Sequence, residues 1–386
     1  MRRLVIVLLL ALASAVHAQT DAELQRAFVY SMQQLEAGDG AQAESTFREI
    51  LKYTDSARVK LELARALYVQ GKDEQAKLLF KEVSMQSETP WRVRDNIALF
   101  VRDIEERSGY LKFGVTVVSD SNPGNLARQR EFSIGDIQVT PTEAPKRVTG
   151  LRYSVQAWQP FAPIRGAGYL TASYVDYPTQ EFDRLTVDAG LAKNLVASGR
   201  VRGKAGLEFG TADGASLYQY PYLGLDAVLA QSESYRLAGE LKFGRVRFSD
   251  FDYLDATYRS AALSLRRELS QSVAGTLRTA IEGSRAAEDP YTYYGWDLAP
   301  GISTFWPETT FLIGATVSYG RRKYAEADPM FGVRREDERT RAELTVGNKQ
   351  WRWRDSYVVL VASFEETRSN IGFFSYQKAN LSVVIE

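Results

Sequence analysis

Residues 149–158 read Thr149-Gly150-Leu151-Arg152-Tyr153-Ser154-Val155-Gln156-Ala157-Trp158. In an extended chain successive side chains take opposite faces. Leu151, Tyr153, Val155 and Ala157 therefore share one face, and Arg152, Ser154 and Gln156 the other. A membrane-crossing strand needs about 9–11 such residues, with an apolar face toward lipid and a polar face toward a lumen. The pattern returns down the chain. Leu185, Val187, Ala189 and Leu191 oppose Arg184, Thr186, Asp188 and Gly190; Val201, Ala205, Leu207 and Phe209 oppose Arg202, Lys204, Gly206 and Glu208. Leu237, Leu241 and Phe243 oppose Arg236, Glu240 and Lys242, and Val273, Leu277 and Ile281 oppose Ala274, Arg278 and Glu282. Phe311, Ile313, Ala315, Val317 and Tyr319 oppose Gly314, Thr316 and Ser318.

Fourteen segments read as strands, near 110–119, 147–159, 167–177, 182–194, 199–210, 217–230, 234–249, 254–269, 272–285, 291–305, 309–321, 336–350, 354–367 and 374–386. An even count suits a bacterial barrel with both ends on one side of the membrane. Several segments exceed a minimal span, which predicts strands projecting beyond the bilayer. Tight connections at Val196-Ala197-Ser198-Gly199, Gln231-Ser232-Glu233 and Trp306-Pro307-Glu308 contrast with the long polar stretches 120–146 and 322–335, which follow odd-numbered strands. Those long stretches are expected outside the cell. Tyr291, Tyr293, Tyr294 and Trp296 at one loop, and Trp351 and Trp353 at another, read as interfacial girdles. A soluble β-sandwich also alternates, but it does not need an export signal, a uniform hairpin pattern and aromatic rims together.

On this register the lumen is lined by Arg152, Arg184, Arg202, Lys204, Glu208, Arg236, Lys242, Arg266, Arg278 and Glu282, with Lys112, Asp188, Glu240 and Glu343 among them. So many charges must face water or pair across the lumen, since unpaired burial is prohibitive. A charge network that stiffens the wall and a lining that selects cargo are both compatible with the pattern.

The 386 residues carry 48 Lys+Arg against 48 Asp+Glu, a balance that argues against a generally basic nucleic-acid binder. Met1-Arg2-Arg3, the apolar run Leu4–Ala15 and Val16-His17-Ala18 have the three regions of a secretory signal peptide, with cleavage expected after Ala18. The chain has no Cys, so neither a thioether-linked lipid anchor nor a disulfide framework can form. Its one histidine, His17, lies in the segment expected to be removed. The rest then lacks the usual general base and thiolate nucleophile, and no spacing of Ser or Asp singles out a catalytic pair. No Walker-type lysine motif occurs, and no cofactor or metal is expected. Membrane residence requires a barrel, because no later apolar run approaches the length of a spanning helix.

Ahead of the strands, residues 23–106 have helical periodicity. Gly38, Ala43, Phe47 and Ile50 recur 33 residues later as Gly71, Ala76, Phe80 and Val83, close to the tetratricopeptide period of about 34. The alanines allow close helix approach, the phenylalanines fill the groove, and the glycines suit the turns inside each repeat. A third helical stretch opens at Pro90 and runs to Ile104. Tetratricopeptide arrays bind extended peptides or partner helices along a concave face built mainly from the first helix of each pair. By repeat position that client-binding face carries Gln25, Phe28, Met32 and Leu35, then Arg58, Leu61, Arg65 and Tyr68; the alternative is that its apolar members only pack between helices.

The fold class is therefore α plus transmembrane β: a signal peptide over 1–18, a tetratricopeptide-like helical module over 19–106, and a 14-stranded antiparallel outer-membrane β-barrel over 107–386. This organisation, with Pro90…Val93-Arg94-Asp95-Asn96-Ile97…Phe100 before the barrel and Asp120-Ser121-Asn122-Pro123 after its first strand, resembles the surface lipoprotein assembly modulator family of Gram-negative outer membranes. The resemblance covers essentially the whole chain after the signal. It implies a barrel that helps move a lipoprotein, or a soluble secreted protein, to the cell surface, while a periplasmic helical module engages the client or its chaperone. The partners it implies are that client, a periplasmic chaperone, the barrel-assembly machinery and outer-membrane lipid, around a monomer that binds no nucleic acid. One departure is the final Val383-Val384-Ile385-Glu386, which lacks the terminal aromatic common in such barrels and recognised at insertion. The competing functions are a polysaccharide exporter, whose relatives have more repeats and strands, a passive porin with a helical adaptor, and an outer-membrane enzyme.

Overall fold

The computed structural model describes residues 22–86, 89–129, 131–134, 137–141, 143–178, 182–196, 199–232, 234–306, 309–353 and 356–385, without the side chains of 91, 92, 95, 349, 352, 353, 356, 357 and 385. The expected signal peptide, turn residues Ala197, Ser198, Glu233, Pro307 and Glu308, and the Trp353 side chain lie outside the described residues. The chain divides between Ser108 and Gly109 into two compact units.

Among the described residues of the first unit there are five helices: α1 (22–36), α2 (Gly40–Ile50), α3 (Ala57–Val69), α4 (Asp73–Met85) and α5 (Trp91–Ser108). The repeat period marks its core. Ala43, Phe47, Ala76 and Phe80 are fully buried, and Ile50 and Val83 nearly so. Gly38 and Gly71 end α1 and α3 with φ of +87° and +72°, the left-handed conformation that an L side chain resists. Nothing lies within 4 Å of a Cβ at either, so backbone conformation rather than space selects glycine there. Glu44 ties α2 to the turn between α3 and α4. Burial alone would raise its carboxyl, but hydrogen bonds from Lys72 (2.7 Å), Gln70 (2.9 Å) and Arg48 (2.9 Å) outweigh that and bring it down to about 2.

The second unit is a closed antiparallel barrel of fourteen strands, β1 and β4–β16, joined in chain order and closed by β1 against β16. The strands are β1 (Tyr110–Asp120), β4 (Val148–Phe161), β5 (Gly166–Asp176), β6 (Arg184–Asn194), β7 (Val201–Ala212), β8 (Ala215–Gln231) and β9 (Tyr235–Phe248). They continue with β10 (Ala256–Glu268), β11 (Val273–Ala286), β12 (Tyr293–Trp306), β13 (Phe311–Ala327), β14 (Arg334–Trp353), β15 (Ser356–Ser369) and β16 (Tyr376–Ile385). The register carries the predicted apolar faces outward: Leu207, Leu223, Leu241, Phe243, Leu263 and Ile281 are all exposed on neighbouring strands. Trp296 packs edge-on against Tyr319 at one end of this apolar band, and Phe311 packs against Trp351 at the other, beside exposed Trp306. From Trp296 to Trp306 along a tilted strand is roughly 25 Å, the height of a hydrocarbon-facing band. A closed antiparallel barrel with an apolar exterior between aromatic girdles is the architecture of the Gram-negative outer membrane.

Three features depart from the sequence reading. The stretch 120–146 holds a small hairpin, β2 (Phe132–Ile134) with β3 (Ile137–Val139), and Phe132 is buried edge-on against Phe373 of the β15–β16 loop. The stretch 322–335 is mostly strand. β13 extends through Arg321, Arg322 and Lys323 to Ala327 and β14 begins at Arg334, and the charges of those three residues are matched by Glu336 and Glu282 rather than solvated in a loop. Of the four aromatics expected in one girdle, Tyr294 and Trp296 face outward and are exposed, whereas Tyr293 packs on Tyr324, inside the barrel, and Tyr291 packs on Tyr253. Alternation forbids Tyr293 and Tyr294 from sharing a face.

Candidate functional site

Two surfaces could handle a polypeptide: the face of the first helices in the helical unit and the lumen of the barrel. On the helical face, Phe28 packs on Phe47 at 5.8 Å and the Arg58 guanidinium lies 5.9 Å from the Phe28 ring. Arg58 and Arg65 converge on Glu62, donating at 3.2 and 2.6 Å to a carboxylate that is 3% exposed. Glu62 was missed in the sequence because a lone acid between two arginines on a helix reads as a solvated face. Its effect is to hold two half-exposed guanidinium groups side by side. Tyr68 donates to Asp103 at 2.8 Å, meets Phe100 edge-on and lies under Arg107, so it belongs with α5. Gln25 is exposed, Met32 and Leu61 are half-buried against the core, and Leu35 is buried within it. Leu35 therefore offers no surface to a client, because the inward side of α1 passes through its position. Phe28, Arg58 and Arg65 are brought together; the other five are not part of that cluster.

In the barrel, the register places all ten lining candidates on the face opposite the exposed apolar residues. Most are engaged. Lys204 pairs with Asp226 at 2.5 Å, Lys242 with Glu208 at 3.1 Å, Arg278 with Asp297 at 3.5 Å, and Glu282 with Arg322 at 2.6 Å. Arg202 donates to Asn194 and lies over Trp158, and Arg184 donates to the Pro123 carbonyl at 3.2 Å. Arg236 and Arg266 are directly opposite each other on β9 and β10. Around these pairs runs a set of tyrosines that the sequence reading did not single out. Tyr222 bonds Asp188 and Tyr169, Tyr218 donates to Glu208 at 2.7 Å, Tyr258 donates to Glu282 at 3.0 Å, and Lys242 sits 4.0 Å from the Tyr222 ring. The signal was the spacing Tyr218-x-Tyr220-x-Tyr222, opposite Gly206 and Gly210.

A polar cavity of about 610 Å³ is lined by Arg152, Arg184, Arg341, Glu343, Glu365 and Lys378, and by the inward residues of both closing strands, Thr116, Val118 and Asp120 of β1 and Asn380, Ser382 and Val384 of β16. Among the described residues the closing seam has only five Cα pairs, Thr116–Asp120 against Val384–Asn380, whereas β1 and β4 are paired through eleven. The Asp120-Ser121-Asn122 motif latches one end of this seam. The Ser121 backbone donates to the Ala379 carbonyl, Ala379 donates back to the Ser121 hydroxyl at 2.8 Å, and the buried Asn122 amide donates to the Leu126 and Gln377 carbonyls.

Comparison with known proteins agrees with both units. Residues 214–386 match the family model described as surface lipoprotein assembly modifier, and residues 34–90 match the tetratricopeptide repeat model. No curated protein matches the chain. Among solved structures, the chain is similar to the outer membrane channel DcaP of Acinetobacter baumannii, at 10% identity over 72% of this chain and 98% of that one, with a TM-score of 0.42. It is also similar to the outer membrane protein OprD of Pseudomonas aeruginosa, at 10% identity over 71% and 92%, TM-score 0.37. A loop-deleted OmpT of Vibrio cholerae gives 10% over 72% and 99%, TM-score 0.38. The surface lipoprotein assembly modifier match thus spans the barrel from β8 to β16, and the tetratricopeptide-repeat match lies in the helical unit that precedes the barrel.

Proposed function

We propose that the protein is a non-enzymatic outer-membrane translocon that assists the surface display of lipoproteins, or of a related secreted protein, with its helical module in the periplasm holding the client or its chaperone. The family match over residues 214–386 supports the class of client. The observation that carries the mechanism is the short β1–β16 seam with a polar cavity on its inner side. A lipoprotein is amphiphilic: its polypeptide needs a polar path and its acyl chains need lipid. A wall that parts at the seam gives both at once, because the lumen face is charged and the outer face of the same strands is apolar. The long loop between β1 and β4 marks the outer end by the usual asymmetry of bacterial barrels, so the latch sits outside and the seam opens from the periplasmic end.

A reversible staple tests this. Val118 and Ser382 are Cα partners across the seam, and the chain has no cysteine to compete. Val118→Cys with Ser382→Cys meets the spacing a disulfide needs. Surface display of the client is expected to fall to the level of a strain lacking the protein and to return on reduction. A staple at Ala262→Cys with Ala280→Cys, paired across β10 and β11, is the control and should change nothing. Normal display with the seam closed would overturn the lateral route.

A further inference from the structure

An arginine facing lipid is costly at the bilayer midplane and is tolerated near the interfaces. Four outward arginines cluster on three adjacent strands: Arg245 and Arg247 on β9, Arg259 on β10 and Arg285 on β11. They share the parity of the exposed Phe243, Leu263 and Ile281. Thr257 is the Cα partner of both Arg245 and Arg285, and Arg259 is the partner of both Phe243 and Gly283, so the arginine positions are grouped on one patch of the outer wall. All four side chains are exposed, and none has an ion pair or hydrogen bond among the described residues. By contrast, Arg321 and Lys323 pair with Glu336, and Arg368 with Glu366, on the outward face of β13 to β15.

Its height fits the outer headgroup layer. β9 ends at Phe248, β10 begins at Ala256 and β11 ends at Ala286, so every one of the four lies within the last turns of strand before the outer loops. Beside the cluster the outer wall is hollowed. A concavity of about 550 Å³ runs over Ala189, Ala205 and Pro221 between Leu207, Leu223 and Phe243, and Arg245 and Thr257 stand at its edge. The small residues and the proline leave a trough where neighbouring strands carry leucine and phenylalanine.

We propose that this patch binds a phosphorylated, acylated lipid of the extracellular leaflet. The arginines hold the phosphate through their planar forks, and the trough receives an acyl chain. A free phosphate would use only the first half of the site, and an uncharged lipid only the second. The proposal does not depend on the translocation reading.

The test uses the full-length protein in non-ionic detergent, titrated with lipid A (a phosphorylated, acylated diglucosamine), with its dephosphorylated counterpart, and with inorganic phosphate. The wild-type protein is expected to bind the phosphorylated lipid at least about tenfold more tightly than either comparison. The triple variant Arg245→Gln/Arg259→Gln/Arg285→Gln is expected to lose at least about tenfold in affinity for the phosphorylated lipid alone. Lys193→Gln, an outward cation at the opposite end of β6, is expected to bind as wild type. Equal affinity of the triple variant, equal binding of the dephosphorylated lipid, or inorganic phosphate binding as tightly as the lipid would each overturn the proposal. The wild-type discrimination between the two lipids stands as a test even if the triple variant fails to fold.

Discussion

Phe80→Ala is expected to unfold the helical module of the full-length protein while its barrel stays intact. Phe80 is fully buried and stacks on Phe100 at 5.1 Å with the rings 6° from parallel. Phe100 in turn meets the Tyr68 ring at 5.0 Å, so one side chain links α4, α5 and α3. Removing a buried phenylalanine costs about 3–5 kcal/mol, and the surrounding helices cannot close the gap without losing the aromatic stack. A helical unit of this size has only about 5–10 kcal/mol to lose. The measurement is thermal melting of the helical circular-dichroism signal in detergent, with heat-modifiable gel mobility reporting the barrel. Tyr53→Ala, at a residue 70% exposed, is the control and should shift the melt little. In cells, Phe80→Ala should abolish client display with normal barrel levels. A helical melt within about one degree of wild type would show that the Phe80–Phe100 stack does not hold the module.

Gly206→Val should have the complementary effect, preventing the barrel from closing. A Cβ at Gly206 would stand 2.2 Å from the Tyr169 hydroxyl and 2.8 Å from Tyr222 Cζ. Tyr222 cannot retreat without breaking its bonds to Asp188 and Tyr169, at 2.8 Å each. Overpacking of about 1–3 kcal/mol is thus joined by about 1–3 kcal/mol for a carboxylate left without its donor. The heat-modifiable folded band should fall sharply, and unfolded protein should be degraded before insertion. Gly168→Ala tests the logic from the other side. Its Cβ meets nothing nearer than 4.0 Å, so that variant should assemble as wild type.

The barrel was legible because alternation is a two-residue rule that tertiary context cannot easily override where one face meets lipid. Leu151 and Arg152 could be assigned to opposite faces without knowing any partner strand. The repeat was legible for a similar reason: Ala43 and Phe47 recur at Ala76 and Phe80 because stacked helix pairs impose the same packing twice. The extension of β13 and β14 was hidden, since Arg321, Arg322 and Lys323 are polar on both faces once the strands leave the membrane. The β2–β3 hairpin was hidden because three residues per strand carry no periodicity, and its one anchor, Phe132, depends on Phe373 far along the chain. The tyrosine network escaped notice because tyrosine suits girdle and lumen alike. Glu62 and the outward arginines went unremarked because the pattern says which side a residue takes, but not which charges find partners there.

Translocation of a surface lipoprotein is the centre of the account, and protease accessibility of lipoproteins on intact cells measures it directly. In a strain lacking the protein, one lipoprotein should be made at normal levels yet be shielded from external protease, while ordinary outer-membrane barrels remain at wild-type abundance. If every lipoprotein stays as accessible as in the parent strain, the barrel and its helical module do something else.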